Sequence, residues 1–533
     1  MLADALGPGV TTATIFKMNA VNFPNKPALI FRGGRITYKQ LLDRMTRLAN
    51  GLRKLGVRPG DRVVGLLHNS PRCVEVLGAV QMLKAVNVPV SYRLKHEELA
   101  YILGNSAPKA VILEGGLAGE AVPAVEAAGL GGKVALVAVD APAGGLPKGW
   151  SEYEALLAAS PATDPGVRAK GEDAKIMIYT SGTTGRPKGA VRSLSRRDAQ
   201  QDFFAGVMET VPLHHDDVHL TPCPLYHSAP WAFMTIYFAL GGTTLILEKF
   251  EPEEVLRQIE REGVNTCTMV PTMYHHVTAL PEEVRRRYDL SSIKALMATG
   301  SLLPVHVKDK VIETFGDHCL YDFYGATELG WVTVARPEDI RAHRNCLGRR
   351  FPGTEIRLLG EDGREVPIGE VGEIYARNKF TYDGYYGNQE ATAATQRAGF
   401  TSVGDMAWRD RVGYYFMADR KADMVVSGGV NIYPAEIEQV IASHPAVFEA
   451  AVIGVPDPEW GESLRAYVVP APGAAPDEKT IVDHCAEHLA GYKKPKTVAF
   501  VPELPRSPQG KVLKRQLRRE FLEANPDLVA AST

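Results

Sequence analysis

The chain has 533 residues, 45% of them hydrophobic and 23% charged, with a formal net charge of −2 at pH 7. That is ordinary globular composition with length for several domains, and the near-neutral balance argues against a nucleic-acid or membrane-surface protein. The six cysteines, Cys73, Cys223, Cys267, Cys319, Cys346 and Cys485, are scattered without a Cys-x-x-Cys pair, so neither a disulfide framework nor a zinc site is expected.

The first residues carry no basic segment followed by an apolar core, and the last, Ala-Ala-Ser-Thr, are not a peroxisomal address. No apolar run is long enough to span a bilayer. A cytoplasmic protein without stable membrane insertion is expected. Ala28 to Phe31, Gly33-Gly34 and Ile36 to Tyr38 read as a small hairpin. Thr37 and Gln40 have capping-box spacing. The helix after them carries Leu41, Leu42, Met45, Leu48, Ala49, Leu52 and Leu55 at steps of three and four, and stops at Gly56. Strand 62–67, helix 72–84 and strand 86–90 follow, a rhythm that predicts a mostly parallel α/β sheet, continued by 111–113 and 134–138. Residues 141–150 read as a loop.

Lys175 to Tyr179 reads as a buried strand, and it runs into Tyr179-Thr-Ser-Gly-Thr-Thr-Gly-Arg-Pro-Lys-Gly189. Glycines let backbone N–H groups approach a ligand, hydroxyls add donors, and Arg186 and Lys188 add positive charge. The combination suits a polyphosphate. It lacks Walker spacing, because Pro187 stands where the second glycine would be. The alternative is a polar surface turn between strands. Residues 210–219, with His214, His215, Asp216, Asp217 and His219, lack a metal-site spacing and read as a solvated loop.

Residues 229–240 are aromatic and apolar. Strand 244–247, an amphipathic helix at 255–262 and strand 267–270 come next. Strands 295–297 and 319–321 lead into turns at Thr299-Gly300-Ser301 and Tyr324-Gly325-Ala326. Ligands of open α/β sheets gather beyond the carboxyl ends of strands, so both turns are site candidates. From about residue 355 short strands and turns take over. Residues 422–533 read as a compact α/β unit with its own core.

The phosphate-type run resembles the signature of the adenylate-forming superfamily, which includes acyl-CoA synthetases and peptide-synthetase adenylation domains. Further runs resemble that family's motifs in order. Asp322-Phe-Tyr-Gly-Ala-Thr-Glu-Leu-Gly330 is similar to the second core motif, Thr401-Ser-Val-Gly-Asp-Met-Ala-Trp408 to the ribose motif, Asp419-Arg-Lys-Ala-Asp423 to the segment ending the large domain, and Pro505-Arg-Ser-Pro-Gln-Gly-Lys-Val-Leu-Lys-Arg515 to the last motif.

The resemblance implies an α/β fold. A large N-terminal domain (1–421) would comprise α/β subdomains and a small β-rich subdomain, and 422–533 would form a small mobile α+β domain. It implies ATP, magnesium and CoA as cofactor and substrates, and a small carboxylic acid as the other partner. Catalytic roles fall to Lys511, Glu328 and His227. Nucleotide contacts fall to Thr180, Ser181, Gly182, Thr183, Thr184, Gly185, Lys188, Gly300, Ser301, Tyr324, Gly325, Thr327, Asp405 and Arg420. Magnesium would be held by Glu328 and Thr184, and pantetheine by Ser427, Gly428 and Gly429. The acyl pocket would draw on Trp231, Met234, Thr299, Leu329 and Trp331.

Two departures stand out. Thr299-Gly300-Ser301 matches the adenine-side turn only loosely, and Ala422 occupies a hinge position where Asp or Lys is usual. Rotation of the small domain is still expected, using the local backbone and Lys421. Ser228 stands where amino-acid-activating relatives tend to carry Asp, which points away from an amino-acid substrate. The expected reaction joins an apolar fatty or aryl acid to CoA through an acyl-AMP. Loading of an acyl carrier protein, and adenylate binding without catalysis, are the rivals. A homodimer is compatible with the sequence, which sets no oligomeric state.

Overall fold

Thr37 caps the helix Tyr38–Lys54, with its hydroxyl accepting the Gln40 N–H and the Gln40 side chain returning the bond. That helix buries Leu41, Met45, Leu48, Ala49 and Leu52, the apolar face that its spacing predicts. The computed structural model describes residues 12–142, 144–167, 175–180, 186–194, 197–507 and 511–526.

Two large sheets form the frame. The first has eight strands, in the order Gly384–Tyr385, Lys188–Ser193, Lys175–Thr180, Val86–Val90, Arg62–Leu66, Ala110–Glu114, Ala135–Val139, Ser151–Glu152. It is parallel from Lys175–Thr180 onward and antiparallel at the Lys188–Ser193 edge. The second has nine strands and a parallel centre: Leu320–Ala326, Ala295–Ala298, Thr266–Met269, Val218–Thr221, Thr243–Ile246 and Pro27–Phe31. The hairpin strand Gly34–Thr37 closes one edge, and Gly330–Ala335 with Arg349–Arg350 closes the other. The central strands are buried on both faces, as helix-covered parallel strands are, with threonines among the buried positions of Thr243–Ile246 and Thr266–Met269.

A six-stranded antiparallel sheet holds Glu355–Leu359, Gly372–Arg377, Asp405–Arg409 and Tyr415–Arg420. A fourth sheet, of five strands, begins at Val425 and is built on the long hairpin Val447–Asp457 and Gly461–Pro470. It packs on the helix Pro434–Ser443 with its own core of Ile437, Ile441, Val452, Leu464, Ala466 and Val468. The chain is thus a mixed α/β protein with a large N-terminal domain and a small C-terminal one. No helix among the described residues is long and apolar enough to cross a membrane.

Two expectations need correction. Tyr324-Gly325-Ala326 is not a turn: the strand runs through Ala326, with a register shift at Tyr324/Gly325, and the turn is residues 327–329. Gly325 serves close approach instead, because a Cβ there would lie 2.2 Å from the Gly330 carbonyl oxygen. Gly428-Gly429 form the tip of the hairpin Val425–Ser427 and Val430–Ile432, with φ of 57° and 80°. In the 210–219 stretch, His214, His215 and Asp216 are exposed as expected, but Asp217 and His219 are buried. Asp217 pairs with Lys294, and His219 stacks on Tyr237.

Candidate active site

The strand Lys175–Thr180 ends at Thr180, whose hydroxyl donates to Glu328 Oε1 at 3.0 Å. Glu328 sits in the turn after Leu320–Ala326 and is buried. Its Oε1 also accepts from the Tyr385 hydroxyl at 2.9 Å. A carboxylate set among hydroxyls is a hard-oxygen site suited to a divalent cation bridging phosphates, so the residues fit magnesium. Burial, followed by the Glu328 charge, pushes the Tyr385 phenol well above its ordinary range and keeps it a hydrogen-bond donor.

Thr327, beside Glu328, is held twice. Its hydroxyl lies 3.0 Å from Ser228 Oγ, and its carbonyl accepts from Arg192 at 2.6 Å. The strand beneath is anchored by a buried ion pair, Lys308 Nζ to Asp322 Oδ2 at 2.8 Å, and Lys308 also donates to the Cys346 carbonyl at 3.2 Å. Lys188 lies with its ammonium 5.3 Å from the centre of the Tyr385 ring. Ser181, Gly182, Thr183, Thr184 and Gly185 lie outside the described residues, as does Gly510.

Asp405 and Arg420 face each other across neighbouring antiparallel strands. Asp405 is buried, accepts from the Tyr324 hydroxyl at 2.8 Å, and lies 3.5 Å from Arg420 Nε. Burial, then the Asp405 charge, holds the Tyr324 phenol protonated. The pairing was not readable from spacing, since the two residues are brought together only by the sheet register.

Lys511 lies within electrostatic reach of Arg420, Asp405 and Glu328. Burial, then the Arg420 guanidinium, draws its ammonium down to about 8, against the pull of the two carboxylates. The described segments on either side of 508–510 pair in hairpin fashion. Arg506 pairs with Val512, the Ser507 N–H bonds the Lys511 carbonyl at 2.8 Å, and the Leu513 N–H bonds the Pro505 carbonyl at 2.8 Å.

His227 is the residue before the helix Ser228–Leu240, half-buried, with its ring edge-on to Tyr226 at 4.3 Å. Burial, then the Lys511 and Arg93 cations, hold it down at about 3, so the imidazole is neutral. Thr180, Tyr324, Thr327, Glu328, Asp405, Arg420 and Lys511 are therefore brought together, with His227 alongside Lys511.

The remaining expected site residues have these surroundings. Gly300 (φ 98°) and Ser301 form an exposed turn after Ala295–Ala298, with Thr299 buried behind it. Trp231 is buried and donates to the Leu225 carbonyl at 2.5 Å, and Met234 is wholly buried in the same core. Leu329 is wholly buried against the small antiparallel sheet. Trp331 lies in an aromatic cluster with Phe203, Phe233, Phe323 and Phe351. Gly428 and Gly429 are exposed, and the Gly428 N–H bonds the carbonyl of Trp460, itself 45% exposed, at 2.8 Å. Ala422 is exposed, and Lys421 pairs with Glu373 at 3.1 Å.

Sequence reasoning missed Tyr385 and Arg192. The only signal for Tyr385 is the aromatic and glycine cluster Tyr382-Asp-Gly-Tyr-Tyr-Gly387. It joins the site because Gly384–Tyr385 adds to the sheet beside Lys188–Ser193.

The model of the AMP-binding enzyme family matches residues 16–386, and that of the AMP-binding enzyme C-terminal domain matches residues 436–511. The chain is 37% identical over 500 residues to a feruloyl-CoA synthase from an Amycolatopsis species, covering 93% of this chain and 96% of that one. It is 34% identical over 511 residues to an indoleacetate–CoA ligase from Aromatoleum aromaticum, covering 94% and 97%. Among solved structures, the anthranilate CoA ligase AuaEII in complex with anthranoyl-AMP superposes with a TM-score of 0.86 at 27% identity, covering all of both chains.

Proposed function

The chain belongs to the AMP-binding enzyme family, and we propose that within it the protein is an ATP-dependent acid–CoA ligase acting on an apolar, aryl-bearing carboxylic acid. The carrying observation is the convergence of Lys511, Glu328, Asp405 and Arg420 on one place from separate segments. Adenylation joins two anions, so its demand is for positive charge and fixed geometry. The carboxylate oxygen attacks the α-phosphorus of ATP and pyrophosphate leaves. The thiol sulfur of CoA then attacks the acyl carbon, its proton is lost, and AMP leaves.

In this reading Lys511 is a compact positive charge between carboxylate and α-phosphate. Asp405 accepts from the ribose hydroxyls, and Arg420 supports it. Magnesium, held by Glu328 with Thr184, would neutralise phosphate charge. Thr180 to Gly185 and Lys188 clamp the pyrophosphate, and Tyr324, Gly325, Thr327, Gly300 and Ser301 border the nucleotide. Neutral His227 gates the acid's entry. Trp231, Met234, Thr299, Leu329 and Trp331 remain the residues proposed to shape the acyl pocket, through the buried walls they belong to.

The small domain, taken as 422–533, presents Lys511 in the first half-reaction and the Ser427–Gly429 face in the second. The flat indole of Trp460 beside Gly428 offers a base-stacking surface there. An aryl acid is favoured by the aromatic acids in the names of the feruloyl-CoA synthase, the indoleacetate–CoA ligase and the anthranilate CoA ligase. The cytoplasm is the proposed location.

The test is a panel of short-, medium- and long-chain, aryl and sterol-side-chain acids. ATP-dependent pyrophosphate release is followed first, then the thioester product with CoA or with an acyl carrier protein. Acyl-CoA from an aryl acid is expected. Absence of pyrophosphate release with every acid would overturn the adenylation reading, and product on the carrier alone would overturn the CoA assignment.

A further inference from the structure

One lysine and three carboxylates meet at the junction of the two domains, and the adenylation chemistry above uses none of them. Lys514 opens the helix Lys514–Ala524, just after the Lys511 hairpin. Its side chain is only 15% exposed, and Nζ lies 2.8 Å from Glu438 Oε1. Glu438 belongs to the helix Pro434–Ser443, and the same oxygen accepts the Val452 N–H at 2.7 Å. Asp419 and Asp423 are within electrostatic reach of the same ammonium.

These carboxylates come from different parts of the chain. Asp419 is in the strand Tyr415–Arg420, directly before Arg420. Its Oδ1 accepts the Arg420 N–H at 2.7 Å and its Oδ2 the Ala435 N–H at 2.7 Å. Asp423 lies in the connection, with its N–H on the Arg420 carbonyl at 3.0 Å. Burial works against the Lys514 charge, yet Glu438, Asp419 and Asp423 together push it up to about 12. Burial raises the Asp423 and Glu438 carboxyls, and in each case Lys514 opposes that rise first. Without the cation, buried carboxylates would face one another unpaired, an arrangement proteins avoid by separating or protonating the groups.

The geometry ties this cluster to catalysis. Leu513, which closes the Lys511 hairpin on Pro505, immediately precedes the helix that Lys514 begins. Asp419 is bonded to the backbone of Arg420, whose side chain pairs with Asp405. One buried ammonium therefore links the loop that carries Lys511, the small domain's first long helix and the end of the large domain. We propose that Lys514 is a positioning residue for adenylate formation: it holds the Lys511 loop against the Asp419–Arg420 end of the large domain. It touches no substrate. The inference rests on the adenylating role of Lys511 given under Proposed function.

The test uses the full chain with Lys514→Met and Lys514→Arg. Two readouts are needed: acid-dependent ATP–pyrophosphate exchange, and CoA-dependent consumption of chemically prepared acyl-adenylate. Lys514→Met should lower the kcat of exchange roughly tenfold or more, with the KM for ATP changed less than about threefold, because misplaced alignment costs rate rather than binding. Thioester formation from supplied adenylate should be largely kept, and Lys514→Arg should restore most of the exchange.

An equal fall in both half-reactions, or exchange at the wild-type rate in Lys514→Met, would overturn the proposal. If Lys514→Met fails to fold, the double variant Lys514→Met/Asp423→Asn removes one of the unbalanced charges. Low exchange in that folded protein supports the role, and wild-type exchange rejects it. Wild-type protein without exchange on any acid would instead reject the adenylation reading, and the positioning role with it.

Discussion

At the scale of single residues, Lys511 occupies a place that disfavours its own charge. With its ammonium drawn down to about 8 by burial and Arg420, the charged form is lost as pH rises through that value. Because kcat/KM reports groups on the free enzyme, kcat/KM for adenylate formation should decline above about pH 8. His227, neutral down to about 3, should add no acidic limb in the neutral range. Lys511→Ala should cut adenylate formation by roughly 10²–10³ and abolish the alkaline limb, as loss of a transition-state donor does. Pyrophosphate exchange followed from neutral to alkaline pH measures both.

Tyr385→Phe tests the hydroxyl that meets Glu328. Removing a hydrogen bond to a charged group costs about 1.5–3 kcal/mol, so exchange should fall by roughly 10- to 100-fold at limiting magnesium and recover partly when magnesium is raised. Lys511, Glu328, Asp405 and Arg420 were singled out by the resemblance of their runs to family motifs, and the structure brings the four near one another. Tyr385 was not singled out, because its contact spans 57 positions and depends on a two-residue strand added at a sheet edge.

At the scale of elements, apolar periodicity placed the parallel strands and their helices closely, since buried faces demand it. Glycines were harder to read. Gly325 signals a turn to any local reading, yet it lies within a strand and is required because the Gly330 backbone comes so close. The consequence is testable. In Gly325→Ala the new Cβ would meet the Gly330 oxygen at 2.2 Å and the Trp331 Cα at 3.1 Å, both backbone atoms that cannot swing aside. The two strands must part, at a cost of about 1–3 kcal/mol, and the turn bearing Thr327 and Glu328 must move with them. Thermal unfolding should begin at lower temperature, and exchange should drop out of proportion to the loss of folded protein. A variant with unchanged melting and exchange would show that the close approach is not needed.

At the scale of the whole molecule, the meeting of the two domains was the least legible feature, because it joins residues far apart in sequence. Phe448 of the small domain packs edge-on against His275 at 4.3 Å and lies 5.6 Å from His276. His275 and His276 belong to the large-domain helix Pro271–Thr278, and His306 packs on His275 at 5.9 Å. Lys310 and Asp309 also face this patch, and Glu449 pairs with Arg506 beside it. Burial is the first cause that lowers all three imidazoles, His275 to about 4. For His275, the neighbouring His306 and Lys310 charges add to it.

Phe448 covers His275 in the docked arrangement and adds to the burial that keeps the imidazole neutral, so docking is favoured while His275 is unprotonated. That contribution is lost as pH falls towards about 4. Mild acid should therefore loosen the Lys511-engaged arrangement before either domain unfolds. Proteolysis at the 421–424 connection should quicken over that window while the melting of each domain changes little. His275→Phe, which cannot take up a proton, should flatten the dependence. Equal acid sensitivity in wild type and His275→Phe would assign the loosening to other groups, with the Glu449–Arg506 pair the next to vary.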